Sequence, residues 1–121
     1  MSTPSSLHEL RDALLQIQEQ HRDSLLHFKR RWEESRGDEH DAWGASDWYF
    51  ETAADGAVIR QMEIYDSGQV LQYHPRHLED EFGRLAEHEL SLEEFEAFAI
   101  SGAEFEAAWH SHQPPTHKKG A

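Results

Sequence analysis

The chain has 121 residues and a mass of 14.1 kDa, with 37% hydrophobic and 29% charged residues, which suits one ordinary domain. Its four Trp, three Tyr and six Phe residues can build a modest core and argue against a fully disordered chain. The absence of cysteine excludes disulfides, thiolate catalysis and Cys-ligated zinc. No apolar run is long enough to cross a membrane, and the N-terminus does not read as a secretory signal, so we expect a cytoplasmic protein.

Charge is distributed unevenly along the chain, whose formal net charge is −13. Residues 1–36 hold six basic and six acidic residues, whereas residues 37–117 hold three arginines against 18 acidic residues. A surface of this kind repels phosphate backbones and attracts basic proteins, so we expect a basic protein partner and no nucleic acid. Acidity also keeps proteins soluble, and this alternative requires no partner.

The N-terminal segment, residues 1–37, is predicted to form one long amphipathic helix. Ser6 and Glu9 fit a capping box, and Gly37 suits the end of a helix. Its apolar residues form a stripe along one side of the helix. This stripe would pack on the protein's own sheet, or it would pair with a second copy in a homo-oligomer through residues 7–32. Residues 38–46 are polar and are predicted to be a linker. The stripe recurs at spacings of three and four through Leu7, Leu10, Leu14, Ile17, His21, Leu25, Phe28 and Trp32.

A three-stranded antiparallel meander is predicted next, with strands at residues 48–52, 58–65 and 70–74. Two turns separate the strands, and each ends in a glycine, which supplies the positive φ that such turns require. If both loops have three residues, Ala53 pairs with Ala57 and Tyr65 pairs with Gln69.

This register sorts the strand residues onto two faces, and a slip of one residue in the pairing would exchange them. The predicted core face carries Trp48, Phe50, Val58, Met62, Ile64 and Val70, with Arg60 and Gln72 among them. The second face carries Tyr49, Glu51, Ile59, Gln61, Glu63, Tyr65, Leu71 and Tyr73.

Residues 76–90 are predicted to be an ordered loop with apolar anchors, and residues 111–121 a disordered tail. Capping boxes at Ser91 and Ser101 predict two short helices on one face of the sheet. The expected fold is α+β, with a long N-terminal helix, a three-stranded antiparallel β-meander and two short C-terminal helices. Residues 47–110 would form the small α+β domain.

The run from residue 47 to 109 also carries a family resemblance. It contains Asp47-Trp48-Tyr49-Phe50-Glu51, Arg60-Gln61-Met62-Glu63-Ile64-Tyr65, Glu79-Asp80-Glu81-Phe82-Gly83 and Glu104-Phe105-Glu106-Ala107-Ala108-Trp109. This segment resembles a family of small bacterial domains of unknown function. The resemblance implies a compact α+β domain and brings no catalytic residue. In size and acidity alone, the chain is similar to immunity proteins that neutralise bacterial toxins.

The second sheet face and the acidic run after the meander supply the candidate binding residues. Tyrosine beside glutamate suits the binding of an arginine or lysine by stacking and charge-assisted hydrogen bonds. The sequence therefore predicts a non-enzymatic, acidic interaction module of the immunity or antitoxin type. Its candidate partner-binding residues are Tyr49, Glu51, Gln61, Glu63, Tyr73, Glu79, Asp80 and Glu81.

Other functions stay open at this point. Paired carboxylates can perform acid–base work when one is shielded, so Glu51, Glu63 and Tyr73 also suit a small hydrolase or ligand-binding domain. The second face of the sheet can instead be covered by the long helix, or it can be exposed to solvent without binding a partner. Among ten histidines, His88-Glu89 begins like a zinc-protease motif, but Leu92 stands where the second histidine belongs. We expect no metal site and no cofactor.

Overall fold

Residues 7–112 are described by a computed structural model. Its four-stranded antiparallel sheet has the strands in the order β1-β2-β3-β4. The α+β class and the short C-terminal helices are confirmed, but the sheet has four strands rather than three. The elements in chain order are α1 (Leu7–Gln20), β1 (Leu26–Trp32), β2 (Ser46–Thr52), β3 (Val58–Tyr65), β4 (Val70–Tyr73), β5 (Glu79–Asp80), β6 (Gly83–Arg84), α2 (Leu92–Phe95) and α3 (Gly102–Ser111).

The N-terminal helix is shorter than predicted, because the second half of its apolar stripe belongs to the sheet. Helix α1 ends at Gln20, and residues 26–32 pair antiparallel with β2. Phe28 and Trp32 are four residues apart, a spacing that fits one face of a helix and equally one face of a strand. The prediction of a helix through Gly37 is therefore wrong beyond Gln20, and the stripe proposed for helix pairing loses its second half.

The predicted linker at residues 38–46 lies between two adjacent strands of the same sheet. Its 3₁₀ turn, Asp41–Trp43, places an indole ring against the body of the protein. The ring centroid of Trp43 lies 5.2 Å from that of Tyr65 and 5.5 Å from that of Phe82. This segment therefore folds back over the sheet instead of separating two units.

Both predicted three-residue turns are present and are closed by backbone hydrogen bonds of 2.9 Å. Gly56 and Gly68 adopt φ values of +95° and +102°, as such turns require. Beyond the first turn a β-bulge shifts the register, so that Thr52 lies opposite Val58 but Glu51 lies opposite Arg60.

The bulge turns the side chains of β2 to the opposite face relative to those of β3 and β4. The prediction is therefore wrong about which residues of β2 share a face with which residues of β3 and β4. Trp48 now lies opposite Glu63, and Phe50 opposite Gln61. We call one side the α3 face and the other the hairpin face, after the element that covers each. The α3 face carries Tyr49, Glu51, Arg60, Met62, Ile64, Val70 and Gln72, and the hairpin face carries Phe28, Trp48, Phe50, Gln61, Glu63, Tyr65, Leu71 and Tyr73.

Each face has its own apolar cluster. On the α3 face, Phe105 and Trp109 pack against Tyr49, Met62 and Val70. The larger cluster includes Phe50, Leu71 and Tyr73 of the hairpin face, together with Leu14 of α1 and two leucines that flank the β5–β6 hairpin, Leu78 and Leu85. The prediction of an ordered, apolar-anchored loop after the meander is therefore confirmed.

The two predicted C-terminal caps are present. The Ser91 hydroxyl accepts a hydrogen bond from Glu94 N at 3.3 Å, and the Ser101 hydroxyl accepts one from Glu104 N at 3.0 Å. Helix α3 continues to Ser111, the first residue of the predicted tail, and the rest of that tail from residue 113 onward lies outside the described residues.

The two helices do not pack on one face, contrary to the prediction. Phe95 of α2 lies 5.7 Å from Phe50 on the hairpin face, whereas Phe105 of α3 lies 6.5 Å from Tyr49 on the opposite face, measured between ring centroids. The chain passes from one face to the other along the edge of β1, where Ile100 N donates to the carbonyl oxygen of His27 at 2.9 Å. None of the described helices is long and apolar enough to span a membrane.

Candidate functional site

The predicted binding residues divide between the two faces of the sheet. Tyr49 and Glu51 lie under α3, while Gln61, Glu63 and Tyr73 lie on the hairpin face. All five are buried, the most exposed being Tyr49 at 7%. The prediction that one sheet face carries all five is wrong, because the bulge turns the β2 side chains to the opposite face from Gln61, Glu63 and Tyr73. The acidic run, Glu79 to Glu81, lies in the β5–β6 hairpin beside the second group.

A recess of about 420 Å³ opens on the hairpin face above Glu63, and we call it the Glu63 recess. Aromatic side chains of Trp32, Trp48 and Phe82 line it together with Arg36 and Arg84, which we call the border arginines. It lies at the junction of the sheet, the loop after β1 and the β5–β6 hairpin. Gln61 and Glu63, two of the predicted residues, form part of its lining.

The Glu63 carboxylate is held by two neutral donors. Tyr65 donates its hydroxyl hydrogen to Oε1 at 2.5 Å, and Gln61 Nε2 donates to Oε2 at 2.9 Å. The residue is 4% exposed. Burial raises the pKa of this carboxyl above its ordinary value, although both hydrogen bonds act to lower it. Among residues 7–112, no Arg, Lys or His forms an ion pair with Glu63, but the positive charge of Arg36, which bonds the Tyr65 hydroxyl, also acts to lower the pKa of this carboxyl.

The two arginines at the border are already engaged. Arg36 Nε donates to Asp38 at 3.1 Å, and Arg36 Nη2 donates to the carbonyl oxygen of Phe82 at 2.6 Å. Arg84 forms ion pairs with Glu87 at 2.6 Å and with Glu79 at 3.7 Å. Each guanidinium therefore has its own carboxylate, and Arg36 acts on Glu63 only through its charge and through Tyr65, without an ion pair.

Sequence analysis did not identify Arg36 as part of a site. Its guanidinium reaches the hydroxyl oxygen of Tyr65 at 3.3 Å, which links it indirectly to the buried carboxylate. The available signal is that Arg36 is the sole Arg or Lys between residues 32 and 59. Trp48 was predicted to be a core residue, yet it lines the recess and is partly exposed.

Asp80 has a structural role in the acidic hairpin. Its Oδ1 accepts hydrogen bonds from the Tyr73 hydroxyl at 2.9 Å, from Phe82 N at 2.9 Å and from Gly83 N at 3.1 Å. Burial would raise the pKa of Asp80, but these bonds and the one to His77 outweigh it and lower the pKa. Asp80 thus fixes the hairpin to β4 and leaves Glu79 and Glu81 exposed.

On the α3 face, Glu51 belongs to a separate group that we call the Arg60 cluster: His27, Glu51, Arg60 and Glu106. Arg60 binds both carboxylate oxygens of Glu51, at 2.7 and 2.8 Å, and also contacts Glu106. His27 Nε2 lies 3.0 Å from Glu51 Oε2. Burial would raise the pKa of Glu51, but the hydrogen bonds from Arg60 and His27 outweigh it and lower the pKa to about 2.

This arrangement gives no support to the hydrolase hypothesis. Glu51 and Glu63 lie on opposite faces of the sheet, so they cannot act on one substrate as an acid–base pair. Glu51 is ionised and fully bonded at neutral pH, which leaves it neither a proton donor nor a free base. Among the described residues, no three His, Asp or Glu side chains are placed to hold a metal ion.

Glu63→Gln is expected to stabilise the protein at pH 7, by about 1 kcal/mol, a usual gain when one unfavourable group is replaced. A carboxyl whose folded-state pKa is raised makes folding less favourable as pH rises above the unfolded-state pKa, and Gln removes that effect. The gain should vanish near pH 3.5, where the carboxyl is protonated in both states. Urea denaturation at the two pH values measures it, with Glu19→Gln on α1 as the control, and a loss of stability at pH 7 would contradict this account.

No protein-family profile matches this sequence, and neither the curated proteins nor the solved structures contain a match. The resemblance to small bacterial domains therefore stays a prediction.

Proposed function

We propose that this protein is a non-enzymatic, acidic interaction module that binds a basic protein, in the manner of an immunity or antitoxin protein. The observation that carries the proposal is the charge of residues 79–106, which hold ten acidic residues, one arginine and no lysine. Eight of those ten acidic residues are exposed. Such a surface accelerates the encounter with a basic partner and disfavours acidic competitors.

Apolar surface beside these charges supports the proposal. Trp32 is 47% exposed and lines a groove of about 220 Å³ with Trp48, Phe50, Phe95 and Arg30, whose guanidinium is paired with Glu94. Trp32 and Trp48 also line the Glu63 recess, so groove and recess are neighbours. Protein interfaces commonly combine a buried aromatic centre with a charged rim, and tryptophan is enriched among the residues that dominate binding energy.

The test compares two variants that each lose four negative charges. One neutralises Glu79, Glu81, Glu93 and Glu96, and the other neutralises Glu9, Asp12, Glu19 and Asp23 in the N-terminal segment. Wild-type protein is used to capture a basic partner from native lysate at low salt, and affinities are then measured with the purified partner. We expect the first variant to bind at least about tenfold more weakly and the second within about threefold of wild type, with wild-type affinity falling as salt increases.

Two outcomes would contradict the proposal. One is equal affinity of the two variants for the captured protein, because net charge rather than the 79–106 surface would then explain binding. The other is that the wild-type protein retains no basic protein at low salt.

A further inference from the structure

We propose that the Glu63 recess is a binding site for one arginine side chain, which the basic partner inserts there. This inference rests on the proposed function, because it specifies which chemical group of the partner enters which part of the surface.

The buried carboxylate of Glu63 is the group that would attract a cation into the recess. Glu63 is 4% exposed and has only the neutral donors Tyr65 and Gln61 in hydrogen-bond contact, among the residues described. A buried carboxylate without a cation is unfavourable, and a positive group that enters the recess would remove that cost. Arg36 offsets the charge of Glu63 in part, but the lining holds three acidic residues, Glu34, Asp38 and Glu63, against two arginines, and each arginine has an ion pair with another carboxylate.

The lining favours a planar cation over a compact one. The indole N–H of Trp48 already donates to the Ser46 hydroxyl at 2.8 Å, so the indole contributes its ring surface as a wall. Trp32 and Phe82 add two more aromatic walls. Guanidinium stacks on aromatic faces and is less strongly hydrated than ammonium, which makes arginine a better occupant than lysine.

The volume of the recess and the surroundings of the protein's own arginines agree with this assignment. The volume of about 420 Å³ falls within the range of roughly 300–1,000 Å³ that is usual for ligand pockets. The chain holds its own guanidinium groups in similar aromatic surroundings: that of Arg36 lies 5.3 Å from the ring centroid of Trp43, and that of Arg30 lies 5.8 Å from that of Trp32. An incoming arginine would meet the same chemistry, with a buried carboxylate in addition.

The test uses three capped amino acids as probes: N-acetyl-arginine methylamide, its neutral citrulline analogue and its lysine analogue. Binding is followed by NMR through the indole N–H signals of Trp48 and Trp32. We expect saturable shifts with the arginine probe, and binding at least about fivefold weaker for each of the other two. Glu63→Gln should remove the preference for arginine over citrulline, while Glu19→Gln, which also loses one charge, should keep it.

Equal binding of arginine and citrulline probes to the wild-type protein would overturn the inference, and so would an unchanged preference in Glu63→Gln. Equal binding of the lysine probe would overturn the choice of arginine. Urea denaturation of Glu63→Gln shows whether the variant is folded, and Glu63→Asp, which keeps the charge on a shorter arm, should recover part of the arginine preference. If the arginine probe binds but no basic protein is captured, the arginine site is supported and the proposed function is refuted. If a basic partner binds in a salt-sensitive way and Glu63→Gln does not change its affinity, the proposed function is supported and the arginine site is refuted.

Discussion

Arg60→Met is expected to lower the free energy of unfolding at pH 7 by about 3–5 kcal/mol, because it leaves the Glu51 carboxylate buried without its bidentate partner. Glu51 is 3% exposed, and among the described residues its carboxylate would keep only the contact to His27. The substitution also removes a guanidinium that lies 4.8 Å from the ring of Phe105 and 5.0 Å from that of Trp109. Chemical denaturation at pH 7 measures the loss.

The same variant should change the pH dependence of stability. The pKa of Glu51 is lowered from 4.5 to about 2, so its pairing stabilises the fold fully above pH 4.5 and is lost as pH falls toward 2. A shift of that size corresponds to about 3 kcal/mol. Arg60→Met loses the part of this contribution that comes from Arg60 and keeps the part from His27, so the difference from wild type should shrink between pH 5 and pH 2.

A double variant provides the control for this prediction. Glu51→Gln combined with Arg60→Met removes both charges, and it should be clearly more stable than Arg60→Met alone, since no unpaired carboxylate remains. If Arg60→Met is within about 1 kcal/mol of wild type, or if the double variant is the less stable one, the ion pair does not dominate this face.

Phe105→Ala is expected to cost about 3–5 kcal/mol, the usual range for a fully buried phenylalanine. Phe105 is 0% exposed and joins α3 to the sheet through Tyr49, Met62 and Val70. Its ring stacks on Trp109 with a centroid distance of 5.8 Å, so the truncation also loosens the neighbouring turn of the helix. Thermal and urea unfolding, followed by tryptophan fluorescence, report the change.

A conservative variant separates volume from ring contacts in this prediction. Phe105→Leu keeps most of the buried volume and should cost less than about 1.5 kcal/mol. Equal losses for Leu and Ala would show that the aromatic contacts to Trp109 and Arg60, rather than the filled space, hold α3 on the sheet.

Elements defined by local signals could be predicted from the sequence. Strand β3 has the predicted bounds, 58–65, because glycine-containing turns delimit it on both sides. The helix caps at Ser91 and Ser101 could be predicted for the same reason, because each involves only four consecutive residues. The strand character of residues 26–32 could not be recognised, because their apolar spacing fits two periods and the pairing with β2 is a contact between distant segments.

Six of the eight candidate binding residues lie together in the structure, and two do not. Gln61, Glu63 and the acidic hairpin come together because β3 and the segment after β4 lie on one face. Tyr49 and Glu51 do not join them, since one bulged residue reverses the side to which every β2 side chain points. Arg36 was missed because its contribution depends on how the loop after β1 folds back.

The arrangement along the outer side of β1 bears on aggregation. An edge strand exposes backbone groups that can recruit a strand from another molecule, which is how sheets grow into fibrils. Here the N-terminal half of β1 is covered by residues 99 and 100, and its continuation carries Lys29, Arg30 and Arg31 in succession. A second copy that approached antiparallel along this edge would bring these like charges together. Three of the eleven basic residues thus lie in a row on this edge, and although Arg30 and Arg31 form ion pairs with Glu94 and Asp66, charged side chains on an edge strand disfavour the addition of another strand.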